Sequence, residues 1–498
     1  MKEKRTKENL IDEEAAVAER EKKQFEKMTK TPMARLIIGL GIPTTLSMMV
    51  TSLYNLADTF FVSKIGNDSI TAAASNLLAL MSIIQAIGFT FGMGSGSIVS
   101  RLLGKRDREG ADKTASSALA IALVSGLFIM IFGLIFITPM LKLFGSRTAD
   151  VLRYSKDYGT YILIAAPFMC MSFVLNNVLR AEGKAVLSMI GLVVGAVVNV
   201  SLDPLLIFTA GMGIEGAAIA TAASQIISFI ILTIMFLSGK TVVRLRLKSV
   251  SRTFSVYGDI IATGFPSFCR QVLASLCTVF LNNAAFQYGV EAYGEKGGDA
   301  AQAALGVVQK VFMLAFSISL GVGQGYQPVL GYNYSAKRFD RVRSAYLFTL
   351  GFSTAVMTVF AVCCAIVAPQ LMEVFELSKD ATKIGLLALR LQCICMPLLP
   401  TNFMIGLTYQ VVGNKAIASL LSISRQGLFY IPAVLIMPRI FKLLGVQSCQ
   451  SLSDFLAFFF ALPFTFMFFK TLKIEAAKAE TAGDAQEETL VVNQFLEE

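Results

Sequence analysis

The sequence predicts an all-α integral membrane protein with 12 transmembrane helices, and two observations support this fold class. First, 55% of its 498 residues are hydrophobic and only 16% are charged, whereas soluble domains are about 45–50% apolar and about 25% charged. Second, the apolar residues form long runs, and about 20 apolar residues are enough for a helix to cross a bilayer. The runs lack the period-two alternation of strands, and open sheet edges are excluded from lipid.

The apolar runs come as six, a basic stretch and six more. The runs lie at about 33–63, 68–100, 112–138, 152–179, 185–210, 215–237, 257–290, 300–331, 344–368, 383–411, 416–438 and 453–472. We therefore predict a charged cytosolic N-terminal extension (1–30), an N-lobe of six spans (31–239), a cytosolic inter-lobe loop (240–255), a C-lobe of six spans (256–474) and an acidic cytosolic tail (475–498).

The basic residues predict the orientation of these spans. The loops that face the cytosol when the N-terminus is inside, such as the loop of Lys337, carry more Lys and Arg than the opposite loops, such as that of Lys379. Cytosolic loops are generally enriched in these residues. We therefore predict that both termini are cytosolic. The net charge of +10 is interpreted as this topology signal and not as a nucleic-acid-binding surface.

The two halves resemble each other at nearly constant offsets. The recurring pairs are Gly41 with Gly264, Pro43 with Pro266, Gly94 with Gly323, Gly96 with Gly325, Pro167 with Pro397 and Gly183 with Gly413. Because each half has six spans, this is a parallel repeat of the kind found in secondary transporters, with a cavity between the lobes. The run GMGSG at 92–96 lies inside an apolar segment, so we predict close helix contact or a bend there and not a nucleotide loop.

The composition also restricts the chemistry. The chain has no His and no Trp, so it has no His-ligated metal site or His-activated nucleophile, and a proton relay would depend on carboxylates. We find no phosphate or metal motif and only two acidic residues deep in the spans. We therefore predict no enzyme activity and no cofactor. A membrane-embedded enzyme is much less expected than a transporter, and the lobe repeat disfavours a passive channel.

The two deep acidic residues are the candidate site. Asp58 lies in the first span, where Tyr54 and Asn55 share its helix face. Asp203 lies in the fifth span, four residues after Asn199. A charged residue inside a span costs about 2.5–3.5 kcal/mol on insertion scales, so each needs a reason. A carboxylate beside amides can bind a hard cation, or hold a proton when it is desolvated.

The repeat predicts that this site belongs to the N-lobe alone. The positions equivalent to the two aspartates are Leu281 and Ala433 in the C-lobe. The C-lobe spans instead contain Arg270 and Arg425. We consider two interpretations of these arginines: structural pairing with carbonyls or a carboxylate across helices, or lining of a C-lobe cavity that tunes substrate charge or gate closure.

Four stretches carry a resemblance to a known family. They are YNLADTFFVSKIG at 54–66, LNNVLRAEGKA at 175–185, NVSLDPLLIF at 199–208 and ISRQGLFYIP at 423–432. Over about residues 30–474 the chain resembles the multidrug and toxic compound extrusion (MATE) transporters, in the bacterial branch related to the staphylococcal multidrug exporter. The resemblance implies a V-shaped pair of six-helix lobes that exports organic compounds in exchange for H⁺ or Na⁺.

The resemblance also implies site residues. It places the cation-coupling site, which would also be the only Na⁺ site, at Asp58, Asn199, Asp203 and Thr221, with Tyr54 and either Asn176 or Asn177 beside them. Asn55 joins the candidate residues because it shares the helix face of Asp58. Of the two asparagines we favour Asn177. Pro43 matches the family proline at which the first helix bends.

The predicted function is therefore multidrug efflux by H⁺ or Na⁺ antiport, with alternating access between two lobes. The expected setting is a bacterial cell membrane, and the expected protein is a monomer that acts on small, lipophilic, often cationic compounds. The alternative is a lipid-linked sugar flippase or polysaccharide exporter of the same superfamily. The sequence does not distinguish H⁺ from Na⁺, since carboxylate, amide and hydroxyl groups serve both.

Overall fold

The computed structural model describes residues 17–65, 68–144, 148–375 and 378–497. Residues 1–16 of the predicted extension and residue 498 of the predicted tail lie outside this part of the chain. Within the described residues every regular element is helical, so the prediction of an all-α fold is confirmed.

The helices follow the predicted apolar runs. After a helix over residues 17–30, termed α1, the first half contains α2 (Met33–Ser63), α3 (Asp68–Gly104), α4 (Arg108–Ile135), the short α5 (Ile137–Leu143), α6 (Ala149–Ala181), α7 (Ala185–Pro204) and α8 (Gly213–Leu237). The second half contains α9 (Phe254–Tyr293), α10 (Glu295–Ser335), α11 (Phe339–Val374), α12 (Lys379–Cys395), α13 (Leu399–Val412), α14 (Lys415–Ile423) and α15 (Ile431–Glu497).

The helices accommodate the predicted crossings. Eleven helical stretches of the described chain are long and apolar enough to span a membrane, and the last of them covers 65 residues, Lys415–Ala479. This stretch is broken at Lys442, which has φ 52° and ψ −131°. Gly445 then lies against the backbone of Met437, so the chain reverses direction there. The stretch therefore supplies two crossings, which gives the predicted total of twelve.

The turns that end the helices repeat between the two halves. Gly183 and Gly413 both have positive φ, at 77° and 101°, and so do Arg106 and Lys337, at 60° and 56°. A left-handed residue at this position lets the backbone bond back to the last helical carbonyls and ends the helix. Equivalent turns at equivalent positions are the structural counterpart of the sequence repeat.

The fifth span of each half contains a π-helical segment. In the first half it covers Leu205–Thr209, directly after Pro204, whose missing N–H removes one α-helical hydrogen bond. In the second half it covers Ser424–Tyr430. Such segments occur frequently at functional sites. Asp203 lies just before the first segment and Arg425 lies within the second.

Glycines allow the two halves to approach closely, as the sequence predicts. Gly264 of α9 faces the backbone of Thr90 in α3, and a methyl group at Gly264 would overlap the Thr90 carbonyl oxygen. A methyl group at Gly325 of α10 would lie 2.6 Å from the Cα of Gly41 in α2. Without side chains the backbones can pack directly, which explains glycine at helix crossings.

The helix α1 contacts both halves at one end of the bundle. We call this end the terminal face; it carries the turns at residues 105–107, 182–184 and 336–338. From the first half, Glu182 offers its carbonyl to Gln24 Nε2 at 2.6 Å. From the second half, Asn333 and Arg338 donate to the carbonyls of Met28 and Thr29 at 3.0 and 3.1 Å. These carbonyls end the helix and have no helical partner of their own.

The loop between the halves lies on the first half at this same face. The Glu182 carboxylate accepts the N–H groups of Val242 and Val243 at 2.9 and 3.0 Å, and the hydroxyl of Ser117 accepts the N–H of Ser251 at 2.9 Å. Burial raises the pKa of Glu182. The loop therefore satisfies its backbone donors on side chains, since it has no secondary structure to satisfy most of them.

Candidate functional site

Four helices of the first half bring polar side chains together around Asp58. The carboxyl group of Asp58 in α2 is hydrogen-bonded to the hydroxyl of Tyr158 in α6. Tyr158 is buried, with 3% of its surface exposed, and is also hydrogen-bonded to Thr221 in α8. One turn before Asp58, Tyr54 is hydrogen-bonded to Gln225 of α8. Tyr158 therefore connects the first span to the sixth.

Asp203 belongs to the same polar chain. The amide nitrogen of Asn199 lies 3.3 Å from the Thr221 hydroxyl and 3.5 Å from Asp203 Oδ1. Asn199 and Asp203 are one helical turn apart on α7, and both are buried. Contacts therefore run from Asp58 through Tyr158, Thr221 and Asn199 to Asp203. The structure thus brings together all four residues that the resemblance places in the cation site.

The polar side chains between Asp58 and Asp203 leave several acceptor oxygens without a partner. Asp58 Oδ1, Asp203 Oδ2 and Asn199 Oδ1 are buried and accept no hydrogen bond from the described residues. No Lys or Arg of the described chain pairs with either carboxylate. Buried polar groups are normally satisfied, and a buried charge without a partner is costly.

The site is suited to a proton or to a hard cation. Its acceptors are carboxylate, amide and hydroxyl oxygens, which is the ligand type that hard cations prefer. A transition-metal site is not indicated, because the described residues contain no cluster of three or more His, Cys, Asp or Glu side chains. These oxygen ligands serve H⁺ and Na⁺ alike, so cation binding at this site stays a prediction.

The two candidate asparagines of the fourth span point to different helices. Asn176 exchanges hydrogen bonds with Ser188 of α7, at 3.2 and 3.0 Å. Asn177 donates to the Phe173 carbonyl at 2.7 Å and lies against Gly92 of α3, while its Oδ1 has no partner among the described residues. Neither hydrogen bond reaches the aspartates, so the preference for Asn177 stays a prediction.

The proline predicted to bend the first helix lies inside α2. The helix continues through Pro43 from Met33 to Ser63, and the Ser47 hydroxyl donates to the Pro43 carbonyl at 2.8 Å. Proline lacks an N–H and weakens the helix locally. A bend at this position therefore stays a prediction.

Sequence reasoning missed Tyr158 and Gln225. Both lie in spans and carry no charge, so the cost of burying a charge does not single them out. Tyr154 and Tyr161 lie one turn away on the same helix, and nothing in the local sequence distinguishes Tyr158 from them. Only the packing of α6 against α2 and α8 shows which tyrosine reaches the site.

The prediction of only two deep acidic residues is wrong, because Asp454 is a third. It is buried, with 2% of its surface exposed, and its Oδ1 accepts from Arg425 Nε at 2.7 Å. The predicted run starting at residue 453 placed Asp454 at a helix end, whereas the last span begins just after Lys442. The structural pairing considered for Arg425 is therefore present.

Comparisons with known proteins agree with this architecture. The MatE family model matches residues 43–205 and 272–436, once in each half. The chain belongs to the MatE family. The members of this family are multidrug efflux transporters of the membrane, so the chain is a multi-pass membrane protein of a transporter family.

Relatives of MATE type share the sequence over most of its length. The chain is 26% identical to the multidrug export protein MepA of Staphylococcus saprophyticus, over 84% of this chain and 90% of that protein. It is 25% identical to MepA of Staphylococcus haemolyticus, over 89% of this chain and 95% of that protein.

Solved structures share the fold. A crystal structure of a MATE protein in complex with MaL6 is 27% identical, with a TM-score of 0.84, and the match covers 91% of this chain and 99% of that one. An outward-facing multidrug resistance transporter of the MATE family is 26% identical, with a TM-score of 0.83, over 90% of this chain and 98% of that one.

Proposed function

We propose that the chain exports small organic compounds by H⁺ or Na⁺ antiport, coupled through Asp58 and Asp203. The observation that carries this proposal is the polar chain between the two aspartates, with unpaired carboxylate oxygens at both ends. A proton or Na⁺ would supply the charge that the protein does not. The names of the similar proteins, multidrug export protein and multidrug resistance transporter, support an exporter.

The contacts between the halves support alternating access. They run from Ser97 with Gln327 at 3.1 Å, near the terminal face, to Ser52 with Ser317 at 2.6 Å, deep in the bundle. With the termini cytosolic, this arrangement is closed towards the cytosol. Asp58 and Asp203 lie on α2 and α7, so cation binding between them would change how α2 packs against its own half. Because α2 also packs against the second half, this change would reach the contact between the halves. A cation gradient could thereby drive the change between two arrangements.

The test is transport into everted membrane vesicles with ethidium as the probe. We expect ethidium to accumulate inside the vesicles when H⁺ or Na⁺ is more concentrated inside than outside, because the exchange then moves the ion outwards and ethidium inwards. Without either gradient we expect no accumulation. Imposing the two gradients separately identifies the coupling ion. Accumulation that is independent of both gradients would contradict antiport.

The orientation is tested by single cysteines in a background without the native cysteines. Lys337 lies in an exposed turn of the terminal face, and Lys379 begins α12 at an exposed position. We expect Lys337→Cys to react with a membrane-impermeant maleimide only from the cytosolic side, and Lys379→Cys only from outside. The reverse pattern would overturn the predicted orientation of both termini.

The contacts of α1 predict that it stabilises closure of the terminal face. Arg341 of α11 donates to the Thr31 carbonyl at 2.6 Å and to Asn333 Oδ1 at 3.0 Å. Hydrogen bonds from charged groups contribute about 1.5–3 kcal/mol. For Arg341→Ala we therefore expect amide hydrogen exchange over residues 17–30 to become about tenfold faster.

The control for this variant is Arg343→Ala. Arg343 lies two residues along the same helix and is exposed, so its removal changes the net charge equally. Unchanged exchange over residues 17–30 in Arg341→Ala, or an equal acceleration in both variants, would show that α1 is not held by this contact.

A further inference from the structure

The loop between the two halves presents apolar and basic side chains together. Leu247 and Phe254 are the most exposed large apolar side chains of the described residues, with 93% and 89% of their surface exposed. Arg246, Lys248 and Arg252 flank them and are exposed as well. Lys and Arg beside exposed apolar side chains are typical of segments that lie in a membrane interface.

Hydrogen bonds fix the depth of this loop against α4, a helix long and apolar enough to span the membrane. The N–H of Arg246 donates to the Ser116 hydroxyl at 3.2 Å. The N–H of Ser251 donates to the Ser117 hydroxyl at 2.9 Å. Lys113 is the last charged residue of α4, and a helix rises about 1.5 Å per residue, so both serines lie about 5 Å further into the span. The loop therefore lies at the boundary between water and lipid.

The end of the loop leads directly into the next span. Phe254 is the first residue of α9, which is also long and apolar enough to cross the membrane. The exposed ring of Phe254 therefore lies where a helix enters the bilayer. Aromatic side chains are enriched at this level of membrane proteins, which agrees with the depth given by the contacts with α4.

The charges of the loop are not balanced within the protein. Among the described residues, none forms an ion pair with Arg246, Lys248 or Arg252. The neighbouring Asp112 carboxylate accepts the N–H of Arg244 at 2.7 Å and can offset one of these charges at most. The loop therefore keeps a net positive charge at the depth of the lipid headgroups.

We propose that this loop binds anionic phospholipids of the leaflet at the terminal face. The phosphate groups would accept from Arg246, Lys248 and Arg252, while Leu247 and Phe254 would pack against the first part of the acyl chains. Each Lys or Arg near an anionic membrane surface strengthens binding about fivefold. Bound lipid would hold the loop, and with it the start of the second half, against α4 of the first half. This inference does not depend on the proposed export function.

The test makes use of the absence of Trp from the chain. Phe254→Trp gives the full-length protein a single Trp in the loop and keeps an aromatic side chain there. The protein is placed in phosphatidylcholine nanodiscs with a small fraction of lipid brominated on its acyl chains, either phosphatidylglycerol or phosphatidylcholine. Bromine quenches Trp fluorescence only in contact. We expect the brominated phosphatidylglycerol to bind beside the Trp about tenfold more tightly, because three cations lie there. Equal quenching by the two lipids would overturn the proposal.

Variants in this background identify the residues responsible. Replacing the three loop cations together, by Arg246→Gln, Lys248→Gln and Arg252→Gln, should abolish the preference for phosphatidylglycerol. The backbone contacts with α4 stay in place in this variant. The control removes three exposed cations from turns of the terminal face and from the start of α11, by Lys105→Gln, Lys337→Gln and Arg343→Gln. It should keep the preference. An equal loss in both variants would show a general effect of positive charge, and a preference that survives in the first would exclude the loop cations.

Salt separates the two parts of the contact. The Debye length falls from about 10 Å at 0.1 M salt to about 3 Å at 1 M. We therefore expect the preference for phosphatidylglycerol to disappear at 1 M salt, while quenching by brominated phosphatidylcholine persists because it reports apolar insertion. A preference unchanged at 1 M salt would contradict binding through the exposed cations.

A soluble acidic partner would use the same charges but would leave the apolar side chains in water. The Trp introduced at position 254 would then be quenched by aqueous acrylamide and by neither brominated lipid. That result would overturn the assignment to lipid. The measurement involves no transport, so its failure leaves cation-coupled efflux untouched, and a failure of efflux leaves the lipid contact standing.

Discussion

Asp203→Asn and Asp58→Asn are each expected to abolish gradient-driven efflux while the protein still folds and reaches the membrane. Two carboxylates in a low-dielectric region cannot both stay ionised without a partner. The described residues supply no Lys or Arg to either one, so the missing charge would come from the proton or Na⁺. An asparagine keeps the shape of the carboxyl group and removes its charge. Each variant should therefore resemble a permanently protonated site.

The measurement is ethidium transport driven by a pH or Na⁺ gradient, normalised to the amount of protein in the membrane. We expect both variants to fall below about a tenth of the wild-type rate, the effect of losing about 1.4 kcal/mol or more of coupling free energy. Asp299→Asn is the matched control, because Asp299 is exposed and the change in charge is the same. Near-wild-type transport by both site variants would falsify the coupling role and leave the aspartates as structural hydrogen-bonding groups.

Gly264→Ala is expected to prevent the two halves from closing at the terminal face. The added methyl group would overlap the carbonyl oxygen of Thr90, which belongs to the backbone of α3 and cannot rotate away. Overpacking of this kind costs about 1–3 kcal/mol, which would shift the balance between closed and open arrangements by about five- to 150-fold. Transport that needs both arrangements should fall accordingly.

The control uses the same substitution in the same helix. Gly258→Ala adds a methyl group where no other atom lies within 4 Å, and alanine favours a helix over glycine by about 1 kcal/mol. Ser100→Cys reports on closure, because Ser100 is fully buried against Gly331 of the second half. We expect faster maleimide labelling of this cysteine with Gly264→Ala than with Gly258→Ala. Equal labelling and equal transport in the two variants would show that this contact does not limit closure.

The sequence by itself determined the fold class and the arrangement of the spans. Hydrophobic runs are a local property, since each helix must be apolar over its own length to lie in lipid. The repeat was visible for the same reason: Gly183 and Gly413 end equivalent helices, and only a residue that tolerates positive φ fits there. Asp58 and Asp203 also stood out alone, because a charge in a span needs a reason wherever its partners lie.

Only the tertiary structure decided which side chains meet. Tyr158 reaches Asp58 and Thr221 because of how α6 is placed against α2 and α8, and helix placement depends on packing against neighbours and not on hydropathy. Asp454 pairs with Arg425 from 29 residues away in the chain. The contact of Gly264 with α3 depends equally on the second half docking against the first. Sequence periodicity identifies the face of one helix, but two faces become a site only when crossing angle and rotation bring them together.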